Sequence, residues 1–337
     1  MKTAVIILNW NGRKMMEQYL PSVCKHTTGE EVKIVVADNG STDDSIEFLR
    51  NNYPQIELIL LDQNYGFAEG YNRAIAQVDA EYVVLLNSDV EVTENWLTTL
   101  TDYMDSHPDI AACQPKVLAY YNKEHFEHAG ASGGFIDRYR FPYCRGRIFA
   151  VVEPDHGQYD TPTQIFWATG AALMIRRASY LKAGGLDAQF FAHMEEIDLC
   201  WRLNSRGEKI VCLPQSIIYH LGGGTLNVDN PRKTYLNFRN NLLMIYKNES
   251  NEQLNKVLRM RKFLDNLAAI VFLLKGDVAN FKAVRKARKD FKKMKDDFID
   301  KRNENLKLTT QTTFPFNYNG SIVWSYYALG KKKYAEL

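Results

Sequence analysis

Glu195, Glu196 and Asp198 put three carboxylates within four residues. A carboxylate within hydrogen-bond reach of a hydroxyl can take its proton. A helix over 195–206 would set Glu195 and Asp198 on one face, three apart, and turn Glu196 elsewhere. Acids at a helix N-terminus also suit its dipole with no chemistry at all, so the cluster supports two readings. A second group of polar side chains closes short apolar runs. Asn9 and Asn11 follow residues 4–8, Asp38 and Asn39 follow 32–37, and Asn87 and Asp89 follow 82–86. Asn87-Ser88-Asp89 can bring an amide and a carboxylate to one side of an extended tip. A carboxylate joined by water and substrate phosphates commonly holds Mg2+ or Mn2+. Asp38 can accept hydrogen bonds from a base or ribose. Asn, Asp and Gly are also turn formers, which accounts for any one tip. Three such tips on one edge point to a ligand.

These tips need elements to carry them. Apolar runs at 4–8, 32–37, 56–61 and 82–86 alternate with helical patterns at 14–26, 42–52, 67–79 and 93–106. Such alternation, with fully apolar strands, predicts an α/β fold whose parallel sheet is covered on both faces. Ligands then bind beyond the carboxyl ends of the strands. Residues 116–240 are less regular and rich in Gly turns, with one strand-like run at 171–175, and read as the other wall of a cleft. From 241 to 337 the composition turns helical and basic. Residues 256–302 hold 15 Lys/Arg against 6 Asp/Glu, a net charge of +9 in a chain whose total is +2, so the remainder carries −7. Phe263, Leu264, Leu267, Ile270, Val271 and Leu274 form one apolar helical face. The basic surface is read either as a solvated helix face or as a peripheral contact with anionic lipid.

Composition excludes several classes. With 337 residues, 45% hydrophobic and 24% charged, the chain is not disordered. A net charge of +2 and the lack of a recognition motif argue against a nucleic-acid partner. Five cysteines without a CxxC argue against a disulfide framework and fit a reducing cytosol. The apolar run at 4–8 is too short for a signal peptide, and no run of about 20 apolar residues spans a membrane. The expected location is cytoplasmic, with peripheral contact at the inner face of the cell membrane as the addition the basic segment suggests. Neither GxGxxG nor GxxxxGK[ST] is present. A nucleotide here would be gripped by side chains and a metal rather than by a glycine cradle.

The ordered motifs carry a resemblance. They are Val5-Ile6-Ile7-Leu8-Asn9-Trp10-Asn11-Gly12, Val36-Ala37-Asp38-Asn39-Gly40-Ser41-Thr42-Asp43, Asn64-Tyr65-Gly66-Phe67-Ala68-Glu69-Gly70-Tyr71-Asn72 and Leu85-Leu86-Asn87-Ser88-Asp89. Thr169-Gly170-Ala171-Ala172-Leu173-Met174-Ile175-Arg176-Arg177, Gly184-Gly185-Leu186-Asp187, and Phe190-Phe191 before Glu195-Glu196-Ile197-Asp198-Leu199-Cys200-Trp201-Arg202 follow. His220 before Gly222-Gly223-Gly224-Thr225 closes the series. Over residues 3–240 the chain resembles the inverting GT-A-fold glycosyltransferases of glycosyltransferase family 2, in its rhamnosyltransferase-like bacterial subgroup.

The resemblance implies a GT-A-type, Rossmann-like sheet. Residues 1–115 would be its nucleotide-sugar-binding half, 116–240 its acceptor-side half and 241–337 a helical extension. It implies a hexosyl or deoxyhexosyl transferase using a UDP- or dTDP-linked donor and a glycan or lipid-linked acceptor, in polysaccharide biosynthesis. Asp89 and His220 would hold Mg2+ or Mn2+, and Asn9, Asn11, Asp38, Asn64, Asn72 and Asn87 would line the nucleotide pocket. Glu196 stands at the base position, with Glu195 in reserve and Asp198 orienting neighbours or holding Arg202. Trp10 and Trp167 would flank a base or sugar, or pack in the core. Two positions depart from the family: its DxD tip reads Asn87-Ser88-Asp89, and its Glu-Asp pair reads Glu195-Glu196. They keep an alternative open, a catalytically silent sugar-nucleotide-binding protein. The oligomeric state is not legible in the sequence.

Overall fold

A computed structural model describes residues 1–222 and 230–337. Strands and helices alternate as the apolar pattern predicts: β1 (Thr3–Asn9), α1 (Arg13–His26), β2 (Val32–Asn39), α2 (Ser45–Asn52), β3 (Glu57–Leu61), α3 (Gly66–Gln77) and β4 (Tyr82–Leu86). Then come β5 (Val90–Val92), α4 (Trp96–Ser106) and β6 (Ile110–Ala119). Two helices start later than their patterns suggest. Asp43 caps Ser45 N at 3.1 Å, so residues 42–44 form the turn before α2. β5 ends at Val92, residues 93–95 turn the chain, and left-handed Asn95 precedes Trp96, where α4 begins.

The middle region is better ordered than its sequence suggests. β7 (Gly134–Ile136), β8 (Pro142–Cys144), β9 (Arg147–Ile148) and β10 (Val151–Val152) form a small antiparallel sheet. β11 (Thr163–Gln164), β12 (Ala172–Arg176), α5 (Arg177–Ala183), α6 (Glu195–Ser205) and β13 (Lys209–His220) follow. The main sheet runs β11-β13-β6-β12-β4-β1-β2-β3, with β5 beside β13. β1 lies between β2 and β4, parallel to both, and β12 runs antiparallel to β4 and β6. The strand order thus changes direction at β1, which is where open α/β sheets bind ligands. Along β1, Ala4 and Ile6 enter one buried cluster while Val5 and Ile7 enter the other. A strand buried on both faces must be apolar throughout, which is why no alternation shows in its sequence.

The C-terminal part is helical: α7 (Pro231–Asn248), α8 (Asn251–Leu274), α9 (Val278–Met294), α10 (Ile299–Leu308) and α11 (Ile322–Tyr327). Asn230 caps α7 by accepting from Arg232 N at 2.8 Å, with Pro231 in the first turn. β6 runs across the division expected at 115 and α7 across that at 240. α8 reverses the usual pattern. It buries Val257, Arg261, Asp265 and Ala269, while Phe263 is 64% and Leu274 81% exposed.

Candidate active site

The three tips meet beyond the β1/β4 edge. Register sets Asn9 opposite Asp38, and Asn9 Nδ2 donates to Asp38 Oδ1 at 2.9 Å. Asp38 Oδ2 accepts from Ser41 N at 2.9 Å, and Asn11 Oδ1 accepts from Thr42 N at 2.7 Å. Gly12 is required here, because a Cβ would stand 2.3 Å from Asn9 Oδ1. Asn64 Oδ1 accepts from Gly66 N and from Asn39 Nδ2, which binds this loop to β2. These residues hold one another's turns at the strand tips. The structure gives Asn72 another task, since its amide bonds Leu186 O, Leu186 N and Tyr180 Oη, joining α3 to the 185–186 turn. Trp167 is buried and donates to Phe135 O, whereas Trp10 is 50% exposed at the β1 tip.

β5 and β13 pair so that His220 lies opposite Val90, next to Asp89. His220 Nε2 is 3.2 Å from Asp89 Oδ1 and 3.5 Å from Asn87 Nδ2. His220 Nδ1 faces Glu127 Oε2 at 3.5 Å. Burial works against a charged imidazole, but the Asp89 and Glu127 carboxylates outweigh it and hold His220 up to about 10. Two ligands at right angles on an octahedral ion, each about 2.1 Å away, stand about 3 Å apart. Once the Nε2 proton is given up in exchange for the ion, Asp89 Oδ1 and His220 Nε2 fit a divalent ion as two protein ligands, with its other positions left to water and phosphate. Among the described residues no third His, Cys, Asp or Glu completes a cage. Gly223, Gly224 and Thr225, which follow His220 in the motif, lie outside the described residues.

α6 opens at Glu195 after left-handed Met194. Burial raises Glu195 well above the usual carboxylate range, and the neighbouring charges of Glu196 and Asp198 raise it further. Burial also raises Glu196 to about 7, against the pull of backbone N–H groups at the helix start. Oε2 of each is buried and has no hydrogen-bond partner among the described residues. A Cβ on Gly170 would stand 3.9 Å from the Glu196 Cβ, and Ala171 O accepts from Asn87 N at 3.0 Å. The 170–171 segment thus runs between the carboxylates and the Asp89–His220 pair. Asp198 is different: fully buried, it accepts from Arg202, Lys247 and Asn248 at 2.7–3.0 Å. Burial alone would raise it, but Lys247 and Arg202 hold it below the usual range. This is the arginine-holding role, and it leaves no oxygen free for a proton.

Sequence reasoning missed Glu127. In the sequence it is only an acid before the Gly130 turn, distant from Asp89 and His220, and its burial shows only in the fold. It also missed Asn240 and Lys247, because nothing in the α7 pattern ties that helix to α6.

The sequence profile of the family described as Glycosyl transferase family 2 matches residues 4–180. An N-acetylglucosaminyl-diphospho-decaprenol L-rhamnosyltransferase of Mycobacterium tuberculosis is 25% identical over 231 residues, covering 64% of this chain and 75% of its own length. Rhamnosyltransferase WbbL of Escherichia coli K12 is 25% identical over 215 residues, covering 59% and 76%. The crystal structure of GalNAc-T7 with UDP, GalNAc and Mn2+ superposes with a TM-score of 0.59 at 17% identity, over 89% of this chain and 56% of that one. The fold is that of the GT-A glycosyltransferases. The chain belongs to glycosyl transferase family 2, and glycosyl transfer is the activity this membership assigns.

Proposed function

We propose that the protein transfers a sugar, with inversion, from a UDP- or dTDP-linked donor to a glycan or lipid-linked acceptor. The observation that carries this reading is Glu196, a half-buried carboxyl at the start of α6 whose Oε2 is buried without a hydrogen-bond partner among the described residues and which burial raises to about 7. A base with a pKa near the working pH is the most effective proton acceptor. The acceptor hydroxyl gives its proton to Glu196 as it attacks the anomeric carbon, and the nucleoside diphosphate leaves from the opposite face. Burial pushes the neighbouring Glu195 well above the usual carboxylate range, which disfavours a second charge beside the base. Asp89 and His220 would hold Mg2+ or Mn2+, which supplies charge stabilisation to the departing diphosphate. Asn9, Asn11, Asp38, Asn64 and Asn87 form the nucleotide rim. A rhamnosyl donor and a polyprenyl-diphosphate-linked acceptor are supported by the names of the relatives.

Such an acceptor lies in a membrane, and α8 offers a matching surface. Exposed Phe263, Leu267, Ile270 and Leu274 stand beside Arg259 and Lys262. We assign this face to peripheral contact with anionic lipid. Among the described residues no helix is long and apolar enough to cross a membrane.

The test is release of nucleoside diphosphate from UDP- and dTDP-sugars, with Mn2+, with and without a polyprenyl-diphosphate-sugar acceptor. Acceptor-dependent release is expected. Donor binding without such release would make the chain a sugar-nucleotide-binding protein.

A further inference from the structure

The backbone just before Glu195 is held in rarely adopted conformations. Phe191, His193 and Met194 have φ of +66°, +69° and +75°. Phe191 and Met194 are not among Gly, Asn, Asp and His, the residues that tolerate this region best. Phe191, with ψ of −57°, is the centre of a γ-turn closed by Ala192 N donating to Phe190 O at 2.8 Å. A γ-turn with positive central φ is the rare, strained form. Such conformations persist only where the surroundings over-determine them, and they cluster at functional sites.

The surroundings here converge on one side chain of α7. Asn240 is fully buried. Its Nδ2 lies 3.0 Å from Phe190 O, 2.8 Å from Ala192 O and 2.8 Å from His193 O. Arg239 Nε donates to Asn240 Oδ1 at 2.8 Å, which fixes the amide with its NH2 toward the loop. Arg239 Nη2 adds a bond to Phe190 O at 3.1 Å. From the other side Phe67 N donates to Phe191 O at 3.0 Å. Gly66, at φ +79°, leaves room for the Phe191 ring, which a Cβ would meet at 2.7 Å. The Asn240 amide serves the three carbonyls with two hydrogens, one of them shared, and brings no charge to desolvate.

We propose that Asn240 is a positioning residue that fixes where Glu195 and Glu196 enter the cleft, a role that rests on the reading of Glu196 as the base. Helix α6 starts directly from the clamped loop, so the loop geometry sets the direction of its first-turn side chains. A misplacement of about 1 Å can cost 10²-fold in rate. The C-terminal helical part is on this account a wall of the active site.

A double-mutant cycle on the full chain tests this, with Asn240→Ala, Glu196→Gln and their combination. Turnover is read with Mn2+ and the UDP- or dTDP-sugar selected by the release assay. Alone, Asn240→Ala is expected to lower kcat about 10²-fold. The donor KM and the calorimetric affinity for UDP or dTDP with Mn2+ should stay within about threefold, a split that general destabilisation would not produce. In the Glu196→Gln background the same substitution should cost less than about threefold more, because the group it places is already silent. Asn240→Asp, similar in shape, should be no better than Ala, since it turns an acceptor toward three carbonyls. The proposal is overturned if Asn240→Ala keeps kcat within threefold of wild type. It is equally overturned if the loss is undiminished in the Glu196→Gln background. Should Asn240→Ala fail to fold, Asn240→Ser, which keeps one donor, is carried through the same cycle under the same rule. If Glu196→Gln alone keeps full activity, the base assignment falls, and the cycle with Glu195→Gln decides the role of Asn240 by the same criterion.

Discussion

Lys247 on α7 donates to Asp198 on α6 at 2.8 Å, and both side chains are buried. The same ammonium lies 2.7 Å from Asp187, which Lys301 also reaches at 2.7 Å. Burial works against the charge on Lys247, and the two aspartates only partly restore it. Removing one partner of a buried pair costs about 3–5 kcal/mol, because the other charge is left behind. Arg202 and Asn248 still serve Asp198, so Lys247→Met is expected near the lower end, about 3 kcal/mol. Chemical denaturation measures it. Acid should act through the same network. Burial would raise Asp187, but Lys247 and Lys301 hold it down to about 2. That is below the value of about 3.9 for an unfolded aspartate, so the folded state binds fewer protons between the two. The contribution, about 2–3 kcal/mol, is complete above pH about 4 and is lost as pH falls through about 2. In Asp187→Asn the acid limb of stability should flatten over that window. An unchanged limb would remove Asp187 from the account.

The metal reading predicts a graded series. Asp89→Ala and His220→Ala should abolish the Mn2+ dependence of UDP or dTDP binding while the fold survives. Glu127 touches His220 Nδ1 rather than the proposed ion position. A carboxylate that orients a ligating histidine is typically worth 10–100-fold in metal affinity. Glu127→Gln should therefore weaken Mn2+ binding by about that factor without eliminating it. Calorimetry with Mn2+ and nucleotide reads all three. If Asp89→Ala binds nucleotide with unchanged affinity and metal dependence, Asp89 is not a ligand.

The first half of the fold was legible because its signals are local. Four apolar runs, each ended by a polar turn, gave β1 to β4 and the edge where Asn9, Asp38 and Asp89 gather. The acidic cluster was legible as chemistry, but not the division of labour within it. Asp198 is spent on Arg202 and Lys247, and Lys247 is 49 residues away in the chain. Glu127 was hidden for the same reason, since only the β5–β13 pairing brings Asp89 and His220 together beside it. The apolar face of α8 was read correctly as a face, yet amphipathicity ordinarily turns such a face inward. Here the inward positions are taken by Arg261 and Asp265, paired at 3.2 Å.

That inversion sharpens the membrane prediction. Arg261, Arg288 and Arg302 are engaged with internal partners, so the charge offered to lipid is smaller than the segment total of +9 suggests. Binding to vesicles rich in phosphatidylglycerol should be strong at low salt and decline as screening grows. Leu274→Glu together with Phe263→Glu should abolish it, since each removes an exposed apolar anchor and adds a repelled charge. Both positions are solvent-facing, so thermal stability should stay near wild type. Equal sedimentation with phosphatidylcholine and phosphatidylglycerol vesicles would remove the electrostatic part.

The base assignment makes the sharpest prediction, because it fixes a rate, a pH profile and a contrast between adjacent residues. Glu196 works only when the acceptor hydroxyl is losing its proton, so its removal should lower kcat and leave donor affinity nearly unchanged. Glu196→Gln keeps the shape and can still hydrogen-bond the hydroxyl, but it cannot take the proton. The expected loss is about 10²–10⁴-fold. Burial places Glu196 at about 7, and the active form is the deprotonated one. Turnover should therefore rise with pH, reach half its plateau near 7, and at pH 6 stand at about one tenth of the plateau. In Glu196→Gln that limb should vanish from whatever activity remains. Glu195→Gln should preserve most of the rate and leave the limb near 7, because burial, not Glu195, is what raises Glu196. If Glu195→Gln collapses while Glu196→Gln stays within about threefold of wild type, the base is Glu195 and the two roles exchange. If neither substitution slows transfer beyond that factor, the start of α6 is structural and the proton acceptor lies elsewhere in the cleft.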